Sequence, residues 1–303
     1  MSDPLSPAEL EQLVRLGKRS LRADLETRRA IQRQGVTIVP ANFYSEVPTV
    51  DEFDAYFEFK EKAPYLALFD DILTKEYLSV LGRYADEFDP PAEGNREAPS
   101  GYFWGNPAFS FSDAMAYYCV LRHVKPKRVL EIGSGFSTLV AKAAVAKNGV
   151  GEIICIEPFP MAWFAELEGI DLIRKPVQQI GADWFNDYLA NGDVLFIDST
   201  HTVKAGSDCL HLYLRVLPGL RHDLTVHAHD IYLPFPMPKK DFQRNIYWTE
   251  QYLLAAYLMD NPRARIIYGS RYNHVFNPDA LASLMRGRWK PGGASIWFTL
   301  AAK

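Results

Sequence analysis

Two carboxylates and two imidazoles fall at the ends of two apolar runs in this 303-residue chain, a combination that can move a proton or hold a cation. The run DVLFIDSTH carries Asp198 and, three residues on, His201; LTVHAHDIYLPF carries the adjacent pair His229 and Asp230. An imidazole titrates at about pH 6.5, which suits general-base work at neutral pH, so His201 and His229 are candidates to take a proton from a hydroxyl or an amine. His201 is the first choice, because the turn after its run can aim the ring across a crevice. The same residues offer a second chemistry, in which Asp198 and Asp230 hold Mg²⁺ or another divalent cation that acidifies and orients a hydroxyl. Structural roles compete with both: Asp198 as the cap of a helix starting near Val203, and either histidine as a hydrogen-bonded core residue.

A second constellation lies upstream. VLEIGSGFSTLVAKA passes from an apolar run through Gly133, Ser134 and Gly135 into a helical pattern, and glycines there let the backbone turn sharply and let a ligand approach the amides at a helix start. Glu157 closes the next apolar run, EIICIEP, where a carboxylate can accept both hydroxyls of a ribose. Glu131, two positions ahead of the first glycine, is poorly placed for a pyrophosphate but suits a cationic amine. The dinucleotide fingerprint needs a third glycine where Thr138 stands, which disfavours a nicotinamide cofactor. The chain has neither a G-x-S-x-G nucleophile elbow nor a phosphate-binding loop with its lysine.

These residues need a scaffold, and the hydrophobic rhythm supplies one. From Phe109 onward, short apolar runs alternate with helical stretches: RVLEIG, EIICIE, IDLIRK, DVLFID, LTVHAHD, ARIIYG and ASIWFTL. The pattern predicts an α/β domain over 109–303, a Rossmann-like, seven-stranded, mostly parallel sheet with helices on both faces. In such sheets the ligand crevice lies at the carboxyl ends of the strands, where Asp198, His201, His229 and Asp230 would meet. Residues 1–108 read as a helical and irregular extension, a candidate substrate lid. It holds one amphipathic helix over residues 6–35, a helix near 75–88, and Tyr102, Phe103 and Trp104 either lining a cleft or packing as ordinary aromatics.

Composition narrows the partners. The 33 basic and 37 acidic side chains give a formal charge of −4, without the cationic excess that a phosphate backbone selects, so a nucleic-acid partner is not expected. The three cysteines lack metal-knuckle spacing. No apolar run approaches the roughly 20 residues of a bilayer span, and the N-terminal stretch has no apolar signal core, so no membrane partner and a cytoplasmic address are expected. Nothing in the sequence assigns an oligomeric state.

The acidic residue before G-x-G, together with the acid ending the second strand, resembles the class I S-adenosylmethionine-dependent methyltransferases over about residues 109–303. That resemblance implies that Glu131, Gly133, Ser134, Gly135, Phe136 and Ser137 frame the methionine part of S-adenosylmethionine, and that Glu157, followed by Pro158, holds the ribose. It also implies that the sixth and seventh strands form an antiparallel hairpin at the sheet edge. FIDSTH after the fourth strand, HD after the fifth, NIYWTEQYLLAAYL and GGASIWF are similar to a bacterial small-molecule O-methyltransferase branch. Ser199 and Leu220 depart from residues frequent in that branch, and Ser137 replaces a third glycine of the loop. The expected activity is methyl transfer from S-adenosylmethionine to a small-molecule acceptor, at a hydroxyl oxygen. The alternatives are N-methylation, an NAD(P)-dependent oxidoreductase, and a non-catalytic ligand-binding protein on the same fold.

Overall fold

The computed structural model describes residues 4–59 and 61–303, so the first three residues of the N-terminal stretch lie outside it. The chain divides into two compact units, Met1–Lys60 and Glu61–Lys303.

In the first unit the single helix expected over 6–35 is two helices, α1 (Pro7–Ser20) and α2 (Leu25–Arg33). Ser6 and Glu9 form the expected capping box on α1. Asp24 ends the run of periodicity because its carboxylate accepts from Thr27 N, which starts a new helix. Helix α3 (Val50–Phe59) follows.

In the second unit, α4 (Asp71–Leu81) and α5 (Phe111–Val124) precede β1 (Arg128–Ile132). Then come α6 (Phe136–Asn148), β2 (Glu152–Ile156), β3 (Asp171–Ile173), α7 (Ala182–Tyr188) and β4 (Val194–Ile197). A stretch of α8 (Asp208–His211), a π-helical turn (Leu212–Val216) and α9 (Leu217–Gly219) leads to β5 (Leu224–Ala228). The remaining elements are α10 (Lys239–Phe242), α11 (Glu250–Leu258), β6 (Ala264–Gly269), α12 (Ser270–Phe276), α13 (Pro278–Met285) and β7 (Ile296–Leu300).

All seven strands form one sheet in the order β3-β2-β1-β4-β5-β7-β6, with β7 antiparallel to both neighbours. The inner strands read as unbroken apolar runs because both of their faces are covered. Val129, Ile153, Val194 and Phe196 bury against α5 and α6, whereas Leu130, Ile154, Leu195 and Ile197 bury on the opposite side with Phe185, Leu212 and Leu254. The chain leaves β1 toward β2 on one side and returns to β4 on the other, so strand order reverses between β1 and β4 and a crevice opens at their carboxyl ends.

The boundary expected at residue 108 lies instead at 60. Residues 61–108 cannot be peripheral, because Leu78, Leu81, Phe88, Tyr102, Phe103 and Trp104 are buried in the same core cluster as α5 and α6. Arg286 pairs with Asp86, and Arg288 donates to the carbonyls of Ala85, Asp86 and Phe88, which ties this segment to α13 and the chain following it. Tyr102, Phe103 and Trp104 are therefore core aromatics, not cleft walls. No helix among the described residues is long and apolar enough to cross a membrane.

Candidate active site

The glycine loop joins β1 to α6. Gly133 has φ +77°, and a Cβ there would lie 1.9 Å from the Asp198 carbonyl oxygen, so a glycine is required for the exits of β1 and β4 to touch. A Cβ at Gly135, which is buried, would lie 3.1 Å from the tip of the flexible Met161 side chain and meet nothing else within 4 Å. Glu157, half-buried at the end of β2, accepts from Ser134 N at 3.3 Å and from Phe159 N at 2.7 Å. Phe159 and Met161 beside it are exposed apolar side chains. A partly accessible carboxylate, a partly accessible Gly133 turn and uncovered apolar groups fit a ligand with a vicinal diol and an apolar ring. Pro158 is half-buried next to them.

Glu131 departs from its expected place opposite a cationic amine. It is fully buried, and its carboxylate accepts from Tyr117 Oη at 2.8 Å and from Thr138 Oγ1. Burial pushes its pKa up to about 7, against the lowering effect of those hydrogen bonds. Glu131 thus ties α5 and α6 to β1 beneath the loop. Phe136 and Ser137 are likewise buried, with the Phe136 ring against Phe103 and Trp163. Gly133, Ser134 and Glu157 remain as the loop's accessible groups.

The structure brings Asp198, His201, His229 and Asp230 together. His201 Nε2 lies 3.3 Å from Asp198 Oδ1 and 3.7 Å from Asp230 Oδ2, and His229 Nδ1 lies 3.4 and 3.8 Å from the same two oxygens. Behind them stand two acids that are not among the candidate site residues, Glu250 from within NIYWTEQYLLAAYL and Asp113 from outside the quoted motifs. Glu250 Oε2 is 2.7 Å from His201 Nδ1, and Asp113 Oδ2 is 3.5 Å from His229 Nε2. Glu250 also accepts from Tyr213 Oη and Ser199 Oγ; Asp113 accepts from Ser270 Oγ and Ala294 N. Each is the lone charged side chain in the first turn of a mostly apolar helix, α11 and α5, which is the signal that marks them in the sequence.

Exposure separates the roles. The side chains of Asp198 and Asp230 are 31% and 27% exposed, whereas those of His201 and His229 are 8% and 7% exposed. The imidazoles form a buried layer and the carboxylates face the crevice, so His201 does not reach across it as the turn suggested. His201 and Asp230 both sit in the left-handed region, at φ +59° and +53°, a strained backbone of the kind found at functional sites. The His201 carbonyl accepts from Thr249 N and Glu250 N, which holds that turn against α11.

Burial alone would lower the His201 pKa, but Asp198 and Glu250 override it and raise it to about 10. His229 is raised in the same way, burial being outweighed by Asp198 and Asp230. Asp198 is held far below the usual carboxylate range, because the two imidazoles overcome the penalty of its surroundings. His227 is buried against Phe196, with Nε2 bonded to Ser295 Oγ; burial keeps it neutral and structural.

Asp198 is not a helix cap, since α8 begins at Asp208 with Ser207 as its N-cap. The expected cation ligands Asp198 and Asp230 share the two imidazoles, but unequally: Asp198 is held low by them, whereas burial, with Asp198 and Asp113 nearby, keeps Asp230 above the usual carboxylate range. Among the described residues no group of three or more His, Cys, Asp or Glu side chains is arranged to hold a metal ion.

A pocket of about 290 Å³ opens beside His229 and Asp230. Asn106, Pro107, Ala108 and Phe111 line it, together with Ala294, Lys240 and Arg271.

Residues 130–231, from β1 to the residue after Asp230, match a family described as a methyltransferase domain. The chain is 32% identical over 162 residues to an uncharacterized protein of Archaeoglobus fulgidus, covering 50% of this chain and 73% of that protein. Among solved structures, it is similar to the O-methyltransferase TomG of Streptomyces achromogenes, involved in tomaymycin synthesis and solved with S-adenosylmethionine. The identity is 14%, the coverage 82% of this chain and 96% of that one, and the TM-score 0.41. It is also similar to an O-methyltransferase of Bacillus cereus solved with S-adenosylhomocysteine, at 11% identity, 78% and 93% coverage and a TM-score of 0.38.

Proposed function

We propose that this chain, a class I S-adenosylmethionine-dependent methyltransferase, methylates a hydroxyl oxygen of a small-molecule acceptor bound beside Asp230. One observation carries this choice: Asp198 touches the Gly133 turn through its carbonyl and shares two imidazoles with Asp230, which lines the neighbouring pocket. The ligand loop and the pocket thus meet at one pair of accessible carboxylates.

When bound, S-adenosylmethionine supplies a methyl carbon whose bond to sulfur breaks as the acceptor oxygen attacks. The protein's share is binding, aim and proton transfer. Glu157 accepts the ribose hydroxyls, and Gly133 and Ser134 let the backbone approach. The acceptor hydroxyl lies against Asp230, whose carboxylate accepts its proton while the ion pairs with His229 and His201 hold that carboxylate in place. Glu250 and Asp113 fix the two rings from behind, as a third group orients a base in catalytic triads. This assignment moves proton acceptance from the histidines to the acid they support. No step is routed through a divalent cation.

The test pairs binding with turnover. Calorimetry should show S-adenosylhomocysteine binding wild type, with NAD and NADP inert, and Glu157→Ala should weaken it about tenfold to a hundredfold. Hydroxylated acceptors incubated with S-adenosylmethionine should then yield methyl ethers by mass spectrometry. Methylated amines with no ether product would move the reaction to nitrogen.

A further inference from the structure

Among the described residues the acids around the pocket have polar partners, whereas its lysine and arginine have no carboxylate partner. Asp113 is met by His229, Ser270 Oγ and Ala294 N, and Asp230 by the two imidazoles. Lys240, from α10, and Arg271, from α12, line the same 290 Å³ space, and among the described residues neither has a carboxylate partner. Arg271 is half-buried, its guanidinium 5.9 Å from the centre of the Phe235 ring, which stacks on Phe276. Part of the lining is apolar, made by Pro107, Ala108 and the exposed ring of Phe111. The pocket therefore combines a proton-accepting end, an apolar wall and two unmatched cations, in a volume at the small end of ligand sites, which run about 300–1,000 Å³.

We propose that the acceptor is itself a small anion, a hydroxylated molecule carrying a carboxylate or phosphate group that Arg271 and Lys240 hold while its apolar body lies along Phe111. A guanidinium presents a planar donor fork that matches either anion, and partial desolvation beside aromatic rings strengthens the pairing. Holding the anion at one end fixes which hydroxyl reaches Asp230, so the same contact sets both substrate class and position of methylation. The acceptor's role rests on the methyl-transfer proposal above; the anion site does not.

The experiment reads binding without turnover. Protein saturated with S-adenosylhomocysteine is titrated calorimetrically with benzoate, neutral benzamide and inorganic phosphate. Wild type should bind at least one anion and prefer benzoate to benzamide or phosphate to water. The double variant Arg271→Gln, Lys240→Gln should lose about tenfold to a hundredfold in that affinity, with an unchanged melting temperature. Arg271→Lys, which keeps the charge but not the fork, should retain part of it. Tighter benzoate assigns a carboxylic acid, and tighter phosphate a phosphorylated acceptor. Equal binding of benzoate and benzamide with no uptake of phosphate would overturn the proposal, as would a double variant that binds the anions as well as wild type. Anion binding without S-adenosylhomocysteine binding would instead sink the methyl-transfer assignment and leave the anion site standing.

Discussion

Glu131→Gln should make this protein more stable at alkaline pH, and the structure sets the size of the gain. The carboxylate is fully buried, and burial raises its pKa from the ordinary 4.5 to about 7, opposed by hydrogen bonds from Thr138, Tyr117 and Cys155. Because the folded state holds this proton more tightly than the unfolded chain, the associated stability is present below about pH 4.5 and is lost as pH rises through about 7. At about 1.4 kcal/mol per pKa unit, the loss amounts to roughly 3 kcal/mol. Glutamine keeps an oxygen for Tyr117 Oη and cannot ionise, so it removes the dependence without opening a cavity. Urea unfolding of both proteins at half-unit steps from pH 5 to pH 8 isolates the effect, since every other titrating group is common to both. The difference in unfolding free energy should move by roughly 3 kcal/mol toward the variant, which corresponds to a melting-temperature change of roughly 6–12 °C at about 2–4 °C per kcal/mol. Parallel curves for the two proteins would refute the assignment of Glu131 as a buried, proton-holding brace.

Gly133→Ala should cost about 3 kcal/mol or more in urea unfolding and weaken S-adenosylhomocysteine binding with it, because a Cβ would collide with the Asp198 carbonyl at a left-handed φ; a change within about 0.5 kcal/mol would contradict that contact. Asp230→Asn should lower turnover by about 10² to 10⁴ while the melting temperature holds, whereas His201→Ala should lower both, since it strips a partner from buried Glu250 at a cost of about 3–5 kcal/mol. A stable, slow His201→Ala enzyme beside an unimpaired Asp230→Asn would return the base to the imidazole. Exhaustive chelation should leave turnover unchanged, and a rate recovered only on adding magnesium or manganese would make Asp198 and Asp230 cation ligands.

What the sequence made legible, and what it hid, follows from how far each feature depends on distant residues. The central strands announce themselves because a strand covered on both faces must be apolar throughout, and β1 and β4 meet that demand locally. Gly133 is equally local, since its backbone angle excludes other residues. The split of α1 from α2 was within reach too, in the Asp24 cap that periodicity alone overlooks. The division of labour in the site was not within reach, because a carboxylate or imidazole has the same letter whether it braces or reacts. Glu250 and Asp113 reach the site from helices 49 and 116 residues away from His201 and His229, joined to them only by the fold. The distinction appears once the partners of each side chain are counted. Glu131, His201 and Glu250 are engaged on both polar atoms and sealed from water, so their chemistry is spent on holding neighbours. Asp198 and Asp230 are anchored by the imidazoles yet partly exposed, and Glu157 stays half-exposed although each of its oxygens accepts a backbone N–H; an anchored carboxylate that still reaches the crevice is the arrangement that can bind a diol or take a proton without reorganising around it.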